Sequence, residues 1–242
     1  MNPYRSTAII VGVLYIIGTV AGVLSVVVTG AMLGASDYLA NVAANPNQLT
    51  TGALLVLLMG LPLAMVPVML FPIFRKINEV LAVGYVVFRG ALETATYIAS
   101  VIPWLFLLIV GREYVSAGAP DASYFQTLGA LLRDGHDAIT IILIIVFSLD
   151  ALMLYYLLYQ SKLVPRWISG WGVLAILLHL ATGFLIMFQL QTAFSPANIV
   201  MNLPIGLQEM VMAVWLIAKG FNHSAVASLS AKTATNQLLS AA

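Results

Sequence analysis

Residues 80–110 read VLAVGYVVFRGALETATYIASVIPWLFLLIV, and this stretch decides what kind of molecule the chain makes. It exceeds the roughly 20 residues of helix that cross a hydrocarbon core of about 30 Å. Its ionisable side chains inside that length are Arg89 and Glu93. A charge at the bilayer centre costs roughly 2.5–3.5 kcal/mol, whereas each large apolar residue gains only about 0.3–0.6 kcal/mol. Left unpaired, Arg89 and Glu93 therefore cancel the gain from about a dozen apolar neighbours. The segment can span a membrane only if other helices supply it with polar partners.

Working outward, five further runs are long and apolar enough to be those helices: residues 7–30, 51–71, 138–159, 167–190 and 198–219. The expected fold is all-α, a polytopic membrane bundle of six transmembrane helices, with residues 1–221 as a single transmembrane domain. Composition agrees. The chain is 62% hydrophobic and 8% charged, where soluble domains carry roughly 45–50% and about 25%, so it cannot clothe itself in a charged aqueous surface. Residues 7–30 are longer than the roughly 7–15-residue core of a secretory signal and read as an uncleaved anchor.

Orientation follows from the basic residues near the span ends. Arg5, then Arg75 and Lys76, then Lys162 and Arg166, then Lys219 and Lys232 fall on one side, and the opposite side holds only Arg112 and Arg133. Because Lys and Arg concentrate in cytoplasmic loops, both termini are expected in the cytoplasm of a cell whose membrane the chain spans. Trp104, Trp167 and Trp171 lie near the boundaries, where aromatic residues anchor helices to the interface.

Between spans, two outer loops, residues 31–50 and 111–137, exceed what tight hairpins need. The first offers Ser36 or Asp37 as an N-cap for a short helix that Pro46 stops. In the second, Phe125, Leu128, Leu131 and Leu132 share one side of residues 122–133, the pattern of a helix lying in the interface. The polar group Arg133, Asp134, His136 and Asp137 then reads as the start of the fourth span, with an acid at the helix N-terminus. Residues 222–242, rich in Ser, Ala and Thr, are expected to be a flexible polar tail. Pro103 is expected to kink the third span or mark its exit, and Pro62, Pro67 and Pro72 to make the second irregular. Gly18 and Gly22 form one G-x-x-x-G step that suits close helix approach, within the bundle or in a homo-oligomer.

The candidate site is the set of ionisable residues inside the spans: Arg89, Glu93, Asp150, His179 and Glu209. Counting about 1.5 Å per helical residue from the cytoplasmic ends puts them at depths of about 15, 21, 18, 20 and 15 Å. Four helices thus bring ionisable groups to one level, and Arg89 and Glu93, at i,i+4, can meet on their own helix. One permanent cation then faces three acids. Electroneutrality needs a bound proton, a protonated His179 or a cationic ligand. The functional expectation is an integral membrane protein that binds or translocates a small solute, cation or proton, with Glu93 or Glu209 as the protonatable element. The competing expectation is a non-transporting sensor or assembly subunit whose charges only fix packing.

Other classes lack support in the residues. No cysteine is present, which removes thiolate metal sites and cysteine nucleophiles, and no hydrolase, metalloprotease or nucleotide-binding signature occurs. His136, His179 and His223 fall at different depths, so no metal site, cofactor or catalytic residue is expected. A net charge of +1 without a basic stripe excludes nucleic acid as a partner; the lipid bilayer is the expected one.

Several stretches resemble a known family. Arg5-Ser6-Thr7 leading into Gly12-Val13-Leu14-Tyr15, Phe88-Arg89-Gly90-Ala91-Leu92-Glu93, the run Ser161-Lys162-Leu163-Val164-Pro165-Arg166-Trp167, and Gln208-Glu209 before Trp215 to Phe221 are similar to a prokaryotic family of multi-pass membrane proteins, domain of unknown function 4386. The resemblance covers nearly the whole chain. It implies location and architecture, and it brings no catalytic residue with it.

Overall fold

A computed structural model describes residues 3–117, 122–192 and 195–240, with side chains as far as residue 231. The described residues are helical and contain no strand. The elements are α1 (Pro3–Leu33), α2 (Tyr38–Ala44), α3 (Pro46–Phe74), α4 (Glu79–Tyr85), a π-helical segment (Val86–Glu93), α5 (Thr94–Ala117), α6 (Ala122–Ser161), α7 (Arg166–Met187), α8 (Pro196–Ala218) and α9 (His223–Ser240).

Among these residues six helices are long and apolar enough to cross a membrane, with α4, the π segment and α5 forming one of them. They expose Val23, Val27, Leu54, Leu61, Leu174 and Val200, each more than half accessible. Soluble monomers rarely expose apolar surface on that scale, so these faces suit lipid. Helix starts carry local signals. Pro3, Pro46 and Pro196 each open a helix, where the missing N–H has no helical partner to lose. Asp37 caps α2 by accepting the Ala40 N–H (3.3 Å), Asn78 caps α4 through Leu81 (3.1 Å), and Ser195 caps α8 through Asn198 (3.2 Å).

Several boundaries differ from the sequence expectation. Pro46 follows α2 as expected but also opens α3, so the second span begins earlier than residue 51. None of Pro62, Pro67 and Pro72 of α3, nor Pro103 of α5, breaks its helix. Residues 122–133 are the first turns of the 40-residue α6 instead of a separate interfacial helix, and Arg133 to Asp137 lie inside it instead of at a helix start. Residues 118–121 of the expected outer loop lie outside the described residues. Where a flexible tail is expected, residues 223–240 form α9.

The chain packs as two compact units. The first comprises Met1–Ile16, Leu63–Leu92 and Ile144–Ala242. Tyr15, Phe74, Tyr85, Leu154, Tyr155 and Ile168 are fully buried in it. Its helices approach closely where side chains are absent: a Cβ at Gly12 would lie 2.7 Å from the Ala213 carbonyl oxygen, and one at Gly172 would lie 2.5 Å from the Tyr155 ring. Arg5 donates to the carbonyls of Leu216 (3.0 Å) and Ile217 (2.6 Å). It thereby satisfies acceptors that the end of α8 leaves open. Gly220 then turns the chain at φ +75°, a conformation that glycine adopts without steric cost.

The second unit comprises Ile17–Pro62 and Glu93–Leu143. Its core gathers Leu39, Val42, Leu49, Val56, Trp104 and Leu107. Polar groups in this unit bond to backbone: Ser25 to the Gly52 carbonyl (2.9 Å) and Gln48 to the Val28 carbonyl (2.6 Å). His136 Nδ1 donates to the Ser100 carbonyl (2.8 Å) while its ring stacks on Trp104, centroids 4.5 Å apart. The polar stretch at residues 133–137 can therefore continue as helix, because its side chains find partners in the fold.

Two glycines of α1 should respond in opposite senses. Gly12→Ala pushes a methyl group into the Ala213 backbone and is expected to cost about 1–3 kcal/mol. Gly30→Ala meets nothing within 4 Å and should gain roughly 0.5–1 kcal/mol from helix propensity. Thermal unfolding of the detergent-solubilised protein, followed by far-UV circular dichroism, checks both. Equal shifts would contradict the packing described.

Candidate functional site

The stretch that delivers Arg89 is not ordinary α-helix. Val86, Val87, Phe88 and Gly90 are all weak α-formers, and from Val86 to Glu93 the hydrogen-bond pattern widens to i→i+5. Such π segments are rare and concentrate at functional sites. The backbone expected to align Arg89 and Glu93 as an α-helical i,i+4 stripe is therefore π-helical.

In the first unit, the Arg89 guanidinium lies between carboxylates from two other helices. Nη1 donates to Asp150 Oδ1 of α6 at 3.3 Å, and Nη2 lies 3.9 Å from Glu209 Oε1 of α8. Arg89 and Asp150 are fully buried, while the Glu209 side chain keeps 13% of its surface accessible. The guanidinium carbon also sits 5.4 Å from the Tyr15 ring centroid and 5.2 Å from that of Phe147. Aromatic faces attract a cation most when water is excluded, so these rings hold the charge without adding any of their own.

A layer of neutral hydrogen bonds fixes this centre. The Tyr15 and Tyr85 hydroxyls are 3.4 Å apart. Tyr155 donates to Gln208 Oε1 (2.6 Å), and Gln208 Nε2 donates to the Ile168 carbonyl (3.1 Å). Gln208 is completely buried, so both ends of its amide are used next to Glu209 in sequence. Gly172 makes room for the Tyr155 ring.

His179 joins this centre through Phe147, whose ring meets the imidazole edge to face with centroids 5.2 Å apart. Its Nδ1 bonds to Asn202 Oδ1. The direction of that bond can be deduced. Asn202 Nδ2 donates to the Asn198 carbonyl (2.8 Å), an atom that can only accept. The Asn202 oxygen must then face the imidazole, and His179 Nδ1 carries the proton. Thr182 donates to the His179 carbonyl (2.7 Å).

Glu93 belongs to the second unit, where Tyr97 donates to its Oε1 at 2.9 Å. It is buried, and Gly60 leaves space for the Tyr97 ring, from which a Cβ at that position would stand 2.9 Å away. Of the five residues expected from sequence, the structure thus brings Arg89, Asp150 and Glu209 together. His179 lies one aromatic ring further on, and Glu93 pairs with a tyrosine. Tyr15, Phe147, Asn202 and Gln208 are the participants that charge alone does not flag. Asn202 and Gln208 carried a usable signal, since carboxamides inside apolar spans seek partners across helices.

With this geometry in place, the comparisons with known proteins are consistent with it. Residues 10–220 match the model of a family described as a domain of unknown function, DUF4386, and the chain belongs to that family. No curated protein and no solved structure matches the chain.

The ion cluster makes a quantitative demand on stability. Arg89→Ala strands two carboxylates and is expected to cost about 3–5 kcal/mol. Asp150→Ala should cost a comparable amount, and the double variant should fall short of the sum by about 0.5–3 kcal/mol. Denaturant unfolding in mixed micelles measures all three; strict additivity would show that the pair does not interact.

Proposed function

We propose that this DUF4386 protein binds a proton or small cation at the Arg89, Asp150 and Glu209 cluster and passes it across the membrane, with Glu209 as the protonatable element and Arg89 as its fixed electrostatic partner. One observation carries the reading: a single guanidinium has two carboxylates within 3.3 and 3.9 Å. With both ionised, these three side chains sum to one negative charge in a medium where gathering charge is expensive. A proton or a cation removes that charge. Glu209 is the member with residual accessibility, so exchange with solution proceeds through it. His179, which can accept a proton on Nε2 while Nδ1 stays bonded to Asn202, is a second carrier, separated from Arg89 by the Phe147 ring. Glu93, hydrogen-bonded to Tyr97 in the second unit, is a separate candidate ion-binding residue.

The membrane setting of the proposal follows the charge pattern. Residues 1–221 act as a single transmembrane domain in the cell membrane, with both termini cytoplasmic, because Arg5, Arg75, Lys76, Lys162, Arg166 and Lys219 mark one side. A second reading draws on the full burial of Arg89 and Asp150: the cluster is a packing device in a sensor or assembly subunit, and no ion moves.

Proteoliposomes with an entrapped pH indicator separate the two. Under an imposed pH gradient the wild type should equilibrate protons faster than bare liposomes. Glu209→Gln should reduce that excess rate by at least about tenfold, the effect of roughly 1.4 kcal/mol, with unchanged helix content. The same assay under a sodium or potassium gradient distinguishes proton from metal cation. A wild type no faster than bare liposomes in every format would favour the structural reading, as would flux untouched by Glu209→Gln.

A further inference from the structure

A second polar feature of the first unit lies away from the ion cluster, where the spans end. The turn after α3, the end of α6 and the start of α9 enclose a cleft of about 450 Å³. Lys76 and Lys162 line it, together with the hydroxyl-bearing Ser161, Ser224 and Ser228, and neither Asp nor Glu is among its described lining residues. Two lysines thus line one cavity without an acid among its described lining residues, and the Lys76 ammonium also donates to the Tyr4 hydroxyl (3.3 Å).

Three further observations give the cleft a preference for anions. Lys162 sits at φ +57°, in the left-handed region where a helix usually ends on glycine. The chain accepts that steric cost and keeps a cationic side chain at the cleft. The first turn of α9 supplies Ser224 and Ala225 to the lining, so the positive end of a helix dipole points there as well. Asn222 anchors this turn. Its backbone N–H donates to the Leu163 carbonyl (2.8 Å), and its side chain accepts from the Ser224 N–H (3.3 Å) and hydroxyl (3.1 Å). The cleft is therefore built by hydrogen bonds that tie α9 to the turn carrying Lys162. Ile77 and Leu229 complete the lining, placing an apolar wall beside the cations.

We propose that this cleft is a phosphate-binding site, with Lys76 and Lys162 as the charged contacts, the positive end of the α9 dipole beside them, and the Ser228 hydroxyl as a hydrogen-bond donor. Lysines bind phosphate as point charges, and the cavity falls in the size range of small-molecule sites, about 300–1,000 Å³, so it takes an esterified phosphate and not merely a bare ion. Because α3 and α6 end there, the cleft lies at the level of lipid headgroups, where basic pockets between spans hold anionic lipid. The same donors would accept a soluble phosphate.

Native mass spectrometry of the full-length protein in uncharged detergent tests the proposal. Titrations use dioctanoyl phosphatidylglycerol and dioctanoyl phosphatidylcholine, with inorganic phosphate and glycerol 3-phosphate in parallel by calorimetry. At least one phosphate-bearing anion should bind, and the Lys76→Gln/Lys162→Gln double variant should weaken it by at least about tenfold, the equivalent of roughly 1.4 kcal/mol. Lys219→Gln, outside the cleft, should leave binding unchanged. Lys162→Gly provides a variant that relieves the backbone strain, so it should fold at least as well as wild type and still lose affinity. Binding of phosphatidylglycerol alone identifies a lipid headgroup as the source; binding of the soluble phosphates identifies a free one. Absence of binding to any anionic probe, or equal affinity in the lysine variants, would overturn the assignment. None of these results depends on ion flux through the Glu209 cluster.

Discussion

A guanidinium that cannot lose its proton is the constraint to which the rest of the first unit answers. A buried carboxylate becomes neutral by gaining a proton and an imidazolium by losing one; Arg89 has no such route, since a guanidinium keeps its proton throughout the physiological range. Once it sits on a helix inside an apolar body, other helices must bring charge or aromatic faces to it. Asp150 from α6, Glu209 from α8, Tyr15 from α1 and Phe147 from α6 do so. In the proposed function, variable charge resides in the acids, and the cation serves as their fixed reference.

Where helices meet, glycine matters more than large apolar side chains. In lipid, apolar surface gains little by leaving one hydrocarbon environment for another, so helix association depends on close packing and hydrogen bonds. Gly12 against the Ala213 carbonyl and Gly172 against Tyr155 show this in the first unit. Gly111, whose added Cβ would lie 2.9 Å from the Leu39 carbonyl, shows it in the second. Large aliphatic residues fill the two cores but also cover outward faces such as Val23, Val27 and Leu174.

Much of the architecture was legible in the sequence because span length and helical rise are nearly invariant. Counting rise alone put Arg89, Asp150 and Glu209 at similar depth, and the structure brings those three together. Rotation about each helix axis leaves no trace in depth. That is why Tyr15, Phe147 and the Asn202 partner of His179 emerged only from the structure. The π segment escaped for a related reason: weak α-formers permit a wider turn without requiring one. Polar stretches misled in a consistent direction. Arg133 reads as the edge of a loop, yet its guanidinium packs 4.7 Å from the Tyr38 ring, and His136 finds a backbone carbonyl, so α6 runs through both. The Ser- and Ala-rich tail looked unable to bury anything, but Ala225 is buried and Asn222 anchors the start of α9.

The hydrogen bond that orients His179 has a consequence for how charge can change inside a rigid structure. Asn198 fixes the amide of Asn202, and that amide fixes the proton on Nδ1. Only Nε2 remains free to gain or lose a proton, and neither event requires the imidazole to turn or the Asn202 bond to break. In the proposed function the residue therefore takes up and releases charge as a capacitor does, with no moving part.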